Sequence, residues 1–305
     1  MLELGREATS VERAAIIGPG RVGTALLLAL QGVQEVLGFC GGSPRSQARC
    51  AERTGLAPAA DCATLCRDAD WIYLTVPDGR IEEVCRKLAE DGALHAGQVV
   101  CHTSGARDST VLAPAAQLGA QVLSLHPMQA IARPQEGRAA FSGAICTIQG
   151  EDPAAARAEE IARALGMTPV RISAEQKPRL HAAAALASNA LVGLLALAAE
   201  AAAGPDAAAG ERSAALALLL PLAEGTVRNV AAVGIPEALT GAVERGDVDT
   251  VRRHLMALQG QPKDLYAAFL PVLARLSAEK GSPGAACFEE FSQLLWEVGN
   301  RWPSA

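Results

Sequence analysis

Chemistry needs titratable or hydrogen-bonding side chains at fixed spacing, and this sequence offers them in few places. His102-Thr103-Ser104-Gly105 and His126-Pro127-Met128-Gln129 each put an imidazole beside hydroxyl or amide groups in a short loop-forming string. Further on, Lys177, His181, Ser188 and Asn189 lie in or just before an otherwise apolar, alanine-rich run. Lys177 to His181 is i, i+4 and His181 to Ser188 is i, i+7, so on a helix these three share one face. An imidazole titrates near neutral pH, which suits His181 to give or take a proton. Asn189 is then placed to orient a small molecule, with Ser104 and His126 lining it from the other side. Each string has a plainer explanation, because Pro, Ser and Gly are common turn residues and a lone helical histidine is usually a satisfied structural one. Several polar groups buried together need partners, however, and a substrate pocket supplies them.

Gly18-Pro19-Gly20-Arg21-Val22-Gly23 has a second kind of potential. The first glycine allows a tight turn, the second lets backbone approach a pyrophosphate, and the third lets a helix pack closely on a strand. An ordinary glycine turn would look the same in isolation. Here the string lies between an expected strand, Ala14 to Ile17, and an expected helix, Thr24 to Leu30, which is the context of a Rossmann dinucleotide site. Where an NAD site usually places an acid after the second strand, this chain has Cys40-Gly41-Gly42-Ser43-Pro44-Arg45-Ser46. Ser43, Arg45 and Arg49 offer a 2′-phosphate hydrogen bonds and positive charge, so the expected cofactor is NADP(H) in preference to NAD(H), the plainer explanation being that both arginines are solvated helix residues. Val76-Pro77-Asp78, just after a third expected strand, would flank the adenosine and ribose, since ligands of such sheets bind beyond the carboxyl ends of the strands.

The elements that must position these residues alternate as strand and helix from Arg13 onward. Further strands are expected at Glu35 to Phe39, Trp71 to Val76, Gln98 to Cys101, Gln121 to Leu125, Gly143 to Ile148 and Thr168 to Ile172. A helix is expected from Pro153 to Leu165, opened by proline and closed by Gly166. After Ser173 only helical periodicity remains, including a capped helix from Asp247 to Leu258. The expected architecture is an N-terminal extension (1–12), an α/β Rossmann domain with a mostly parallel, doubly wound sheet (13–173) and an all-helical domain for substrate and dimerisation (174–305).

Length and composition agree with two globular domains: the chain has 305 residues, of which 50% are hydrophobic and 20% charged. A net charge of −6 without a dense basic stretch argues against a nucleic-acid partner. The first fifteen residues lack the apolar run of a secretory signal, so a cytoplasmic location is expected. Eight cysteines, at 40, 50, 62, 66, 85, 101, 146 and 287, show neither paired CxxC spacing nor disulfide-scaffold density. They are expected to be reduced thiols, mostly small core residues, and no metal site is expected. The run from His181 to Ala203 is long enough to cross a membrane. Its alanine dominance, its polar residues and its lack of basic flanks instead suggest a helix buried on every side, in a domain core or a dimer interface.

Over nearly its full length the sequence resembles the Rossmann-like proteins with a C-terminal domain of unknown function 2520, which are similar to pyrroline-5-carboxylate reductases and β-hydroxyacid dehydrogenases. The resemblance rests on the strings already quoted, on the spacing of His181 and Asn189, and on Leu239-Thr240-Gly241, Arg245-Gly246-Asp247 and His254. Where relatives tend to read Thr-Gly-Pro, this chain has Thr240-Gly241-Ala242. The resemblance implies a nicotinamide dinucleotide, a helical domain that often builds a homodimer, and a cleft for a small substrate. The β-hydroxyacid dehydrogenases place a catalytic lysine in the first long helix of the second domain; His181 looks like the occupant of that region, and Lys177 is left unassigned. The expected activity is hydride transfer between NADP(H) and a small carbonyl, imine or hydroxy acid. Two alternatives stay open: a catalytically silent NADP(H) sensor or interaction protein, and a methyltransferase using S-adenosylmethionine.

Overall fold

A computed structural model of the chain describes residues 11–297, so the expected extension at 1–12 lies almost wholly outside the described residues. By Cα proximity the chain divides between Ser188 and Asn189 into two compact units.

The first unit runs β1 (Arg13–Ile17), α1 (Arg21–Leu30), β2 (Glu35–Cys40), α2 (Pro44–Thr54), α3 (Cys62–Arg67), β3 (Trp71–Leu74), α4 (Ile81–Glu90), β4 (Val99–His102), α5 (Ala113–Ala116), β5 (Gln121–Pro127), β6 (Ile145–Gly150), α6 (Ala154–Ala164), β7 (Thr168–Arg171) and α7 (Gln176–Ala185). Its seven strands form one sheet in the order β2-β1-β3-β4-β5-β6-β7. All pairings are parallel except that of β5 with β6, where His126 faces Thr147 and Pro127 faces Cys146. The sheet is buried on both faces, which is why its central strands are continuous apolar runs rather than alternating ones. Within β3, Trp71 and Tyr73 join a core shared with α1 and α6, while Ile72 and Leu74 join the opposite core with α3 and α4. Helices on both faces leave the carboxyl ends of β1, β3, β4 and β5 as the edge on which side chains can face a ligand.

Several boundaries differ from expectation. β5 extends to Pro127, so His126 belongs to the strand and not to the loop after it. β6 begins at Ile145, two residues late, because Gly143 adopts φ +76° and turns the chain into the strand. The first unit includes α7.

The second unit contains α8 (Leu191–Ala203), α9 (Ala209–Val233), α10 (Ile235–Ala238), α11 (Val248–Ala257), α12 (Gly260–Lys280) and α13 (Phe288–Glu297), with no strand among its described residues. The side chain of Asp247 accepts the Thr250 amide at 3.0 Å and starts α11 as anticipated. Val251 and Leu255 of α11, Leu270 and Ala274 of α12, and Phe291 and Leu294 of α13 build a small core. Neither α8 nor α9 takes part in it. The expectation that the long apolar helix is buried on every side is therefore corrected for the single chain: Ala199 is the only buried residue of α8, and Ala215 the only one of α9.

Candidate active site

The glycine loop shows a division of labour among its three glycines. Gly18 has φ +101°, a conformation open to glycine and disfavoured for L side chains. Gly23 is wedged: a Cβ there would lie 2.3 Å from the Gly18 carbonyl oxygen and 2.4 Å from Thr75 Oγ1. Thr75 Oγ1 donates to the Gly18 carbonyl at 2.6 Å, which ties the loop to the end of β3. At Gly20, by contrast, nothing lies within 4 Å of the position a Cβ would take. Gly20 is the N-cap of α1 and supplies no side-chain cap, so first-turn amides of the helix face open space.

Beside this loop, a cavity of about 270 Å³ is lined by Ile17, Gly41, Gly42, Val76, Pro77 and Val84, among others. Val76 and Pro77, expected beside the adenosine, line this largely apolar cavity, while Asp78 is exposed on the short turn after Pro77. Ser43 Oγ accepts the Ser46 amide at 3.2 Å and caps α2, so that hydroxyl is committed to the helix start. Arg45, two residues on, is exposed.

The cysteine expectation is corrected at this cavity. Cys40, the last residue of β2, and Cys62, the first of α3, form a disulfide with their Cα atoms 5.6 Å apart. Their separation of 22 residues carries no CxxC signal, and only the return of the chain from α2 to the sheet brings them within disulfide reach. The other six thiols are free, and all but the half-buried Cys287 are buried.

At the ends of β4 and β5 the polar residues separate into two layers. In the inner layer, fully buried His102 accepts the Ser104 amide at Nδ1 (3.2 Å), and its Nε2 meets the Asp108 carbonyl at 3.0 Å. That pair fixes the neutral tautomer with hydrogen on Nε2, and burial pushes the His102 pKa down to about 4. Ser104 Oγ accepts the amides of Ala106 (3.2 Å) and Arg107 (3.0 Å), which closes its own turn. Lys177, only 1% exposed, donates to the Ser104 carbonyl at 3.0 Å and to Ser124 Oγ at 2.7 Å. This contact fastens α7 onto the sheet and explains why the compact unit outlasts the strands. Burial lowers the Lys177 pKa to about 8, opposed by the charges of Asp108 and Asp78.

The outer layer is a pair of imidazoles. His126, half-buried, has its ring centroid 5.9 Å from that of exposed His181, edge to face at 74°. Both rings converge on Gly105, where a Cβ would lie 2.3 Å from His181 Nδ1 and 2.8 Å from His126 Nε2. Thr147 Oγ1 stands 3.4 Å from His126 Nδ1. Burial first, then the charges of Lys177 and His181, pull the His126 pKa down to about 4, so at neutral pH it is an uncharged hydrogen-bonding group. Ser188 is half-buried and Asn189 exposed; they lie on a π-helical turn at 186–190, where the second unit begins. Sequence reasoning put Lys177 on the face of His181 and quoted Gly105 in its motif, both without a role, and passed over Ser124 and Thr147. The one available signal was a lysine one helical turn before a histidine in an alanine-rich run.

This fold, with a glycine loop at the first strand and polar groups over the carboxyl ends of the middle strands, defines the class of Rossmann-like proteins. The sequence matches the Rossmann-like domain over residues 7–127 and the domain of unknown function 2520 over residues 144–270. The chain is a Rossmann-like protein with a C-terminal domain of unknown function 2520, as its motifs suggested. No curated protein matches the sequence. Among solved structures it is similar to a protein assigned as an NADP oxidoreductase from Bacteroides fragilis, with TM-score 0.68 and 21% identity over 88% of this chain and 98% of that one. An imine reductase variant from Myxococcus stipitatus in complex with NAD+ gives 0.54 and 18% identity, over 93% of this chain and 99% of that one. A pyrroline-5-carboxylate reductase from Coxiella burnetii gives 0.54 and 17%, over 88% and 98%. At such identities the likeness is one of fold.

Proposed function

We propose that the protein is an NADP(H)-dependent oxidoreductase that moves a hydride to or from a small carbonyl, imine or hydroxy acid. The observation that carries this reading is the contrast within the glycine loop: Gly18 and Gly23 are closed in by Val76 and Thr75, while the space over Gly20 is free. A loop that served packing alone would have no reason to leave its helix amides facing an empty hollow. Fold neighbours named as oxidoreductases and reductases add to the support.

Gly18, Pro19, Gly20, Arg21, Val22 and Gly23 would hold the pyrophosphate, with Val76, Pro77 and Asp78 beside the adenosine. When bound, the nicotinamide supplies the hydride chemistry. The chain's own task is to orient substrate and to hold or move one proton. His181 is the exposed imidazole of the pair and would exchange that proton with the substrate oxygen or nitrogen. His126, held neutral, would accept or donate a hydrogen bond beside it, and Asn189 would orient the substrate. Ser104 would line the substrate from the sheet side together with His126, while its carbonyl accepts from Lys177. The exposed apolar helices α8 and α9 support a homodimer built through the helical unit.

The direct test is titration with NADPH and NADH followed by turnover on a panel of small oxo acids and cyclic imines. His181→Ala is expected to lower turnover by about 10²-fold or more while leaving NADPH affinity nearly intact. Unchanged turnover would remove His181 from the mechanism.

A further inference from the structure

The free cysteines of the first unit, Cys50, Cys66, Cys85, Cys101 and Cys146, are all buried in its two apolar cores. Burial pushes the thiols of Cys66 and Cys146 up to about 12 and that of Cys85 up to about 11, so at neutral pH they keep their protons and are poor nucleophiles. The bridged pair has different surroundings. Cys40 is only 1% exposed, whereas Cys62 is half-buried and lines the cavity beside Val76 and Pro77. We infer that Cys62 Sγ is a thiol–disulfide exchange site, open to dithiol reductants through that cavity, and that reduction of the bridge weakens nucleotide binding.

The position of the bridge gives the exchange its consequence. β2 is an edge strand, paired only with β1. Its last residue, Cys40, leads directly into Gly41 and Gly42, with φ +76° and +77°, and both glycines line the same cavity. Glycine loses more conformational freedom on ordering than any other residue, so such a turn needs ties. The Gly18 amide donates to the Cys40 carbonyl at 2.9 Å and Gln47 Nε2 to the Gly41 carbonyl at 3.1 Å. The disulfide adds the covalent tie, from the start of this turn to the first residue of α3. Unbonded sulfurs repel at bonding distance, so cleavage parts the end of β2 from α3 and releases one wall of the cavity. In the exchange, a thiolate of the reductant attacks Cys62 Sγ, the bond to Cys40 breaks, and Cys40 leaves as a thiolate that is then protonated. The second thiolate of the reductant attacks its own first sulfur, and Cys62 leaves and is protonated in turn. Two electrons and two protons pass to the protein, and the reductant departs as a cyclic disulfide. Bridges that reagents can reach are the labile, regulatory ones. The inference rests on the dinucleotide reading above and adds control of the same site.

The test uses the full chain, oxidised with oxidised glutathione, and dithiothreitol as the dithiol. Alkylation in denaturant after an acid quench, followed by peptide mass mapping, should show Cys40 and Cys62 reduced under conditions where far-ultraviolet circular dichroism reports an unchanged fold. NADPH and NADH are each expected to bind the reduced chain about tenfold more weakly, since two glycines must then be ordered at the moment of binding. Reoxidation should restore both affinities. Cys62→Ser is expected to bind like reduced wild type and to ignore dithiothreitol. Hydrogen exchange read by mass spectrometry should quicken at 40–43 and 59–63 and stay level in α6. A bridge that fails to form, or that yields only once the chain unfolds, would overturn the inference. Equal nucleotide affinity in the two redox states would overturn it while leaving the dinucleotide reading intact. Exchange that quickens throughout the first unit would also overturn it, by making the bridge a fold staple alone. A chain that takes up neither nucleotide in either state would bring down both readings.

Discussion

A buried ammonium group without a carboxylate in hydrogen-bonding reach is costly, and at Lys177 two neutral oxygens, the Ser104 carbonyl and Ser124 Oγ, offset part of that cost. The remainder appears as a pKa lowered to about 8. Between about pH 8 and the ordinary lysine value near 10.4, the folded chain has released this proton while the unfolded chain keeps it. The unfolded state then binds more protons, so stability from this group rises with pH across that window and is lowest where the ammonium is fully charged. Lys177→Met should abolish that rise, which amounts to about 3 kcal/mol across the whole window. Urea unfolding at pH 8 and pH 10 reads the difference between wild type and variant. A parallel pH dependence in the two proteins would show that Lys177 keeps its ordinary affinity for the proton. The type and spacing of Lys177 were legible in the sequence, but its partners were not. Ser124 sits inside an apolar strand and the Ser104 carbonyl has no sequence signature, so only the packing of α7 on the sheet reveals the contact.

Among the elements, those fixed by local chemistry were the most readable. The glycine loop and α1 follow from φ requirements and close approach, and α11 follows from Asp247 as its cap. Elements decided by pairing at a distance were not readable to the residue. β5 reaches Pro127 because antiparallel β6 pairs with it as far as Cys146, and proline at the strand end forgoes an amide hydrogen bond there. The Cys40–Cys62 disulfide is another long-range product, since it closes a loop that carries the whole of α2. Such a cross-link restricts the unfolded chain, and for a loop of this length the stabilisation is about 3 kcal/mol. Cys62→Ser should lower the unfolding free energy by that order, and dithiothreitol should bring wild type down to the variant's level while leaving the variant unchanged. A wild-type melting curve indifferent to dithiothreitol would rule out the bridge in solution. Cys62 also lines the apolar cavity beside Val76 and Pro77, so the bridge forms part of that cavity's wall.

For the molecule as a whole, α8 and α9 leave large apolar side chains uncovered within the single chain. Leu218 is 81% exposed, Leu222 70% and Val192 68%, and two helical stretches, Gln176–Ala203 and Ala209–Val233, are long and apolar enough to cross a membrane by length and composition. Each large aliphatic side chain left in water forgoes about 1.5–3 kcal/mol of burial, so a handful of them outweighs the cost of ordering a partner. A second copy of the chain is the occupant we favour, because an alanine-rich surface lets helices approach closely, whereas a lipid-facing span is commonly rich in leucine and flanked by basic residues. The expected mass in solution is twice 31.4 kDa, measured by light scattering on protein purified without detergent. Leu218→Glu with Leu222→Glu would bury two carboxylates in the interface and should convert the protein to a 31.4 kDa species at micromolar concentration. The first unit's cavities do not depend on those side chains, so the variant should still bind NADPH. Recovery of wild type with the membrane fraction, or a monomer that stays soluble with both helices bare, would sink the dimer.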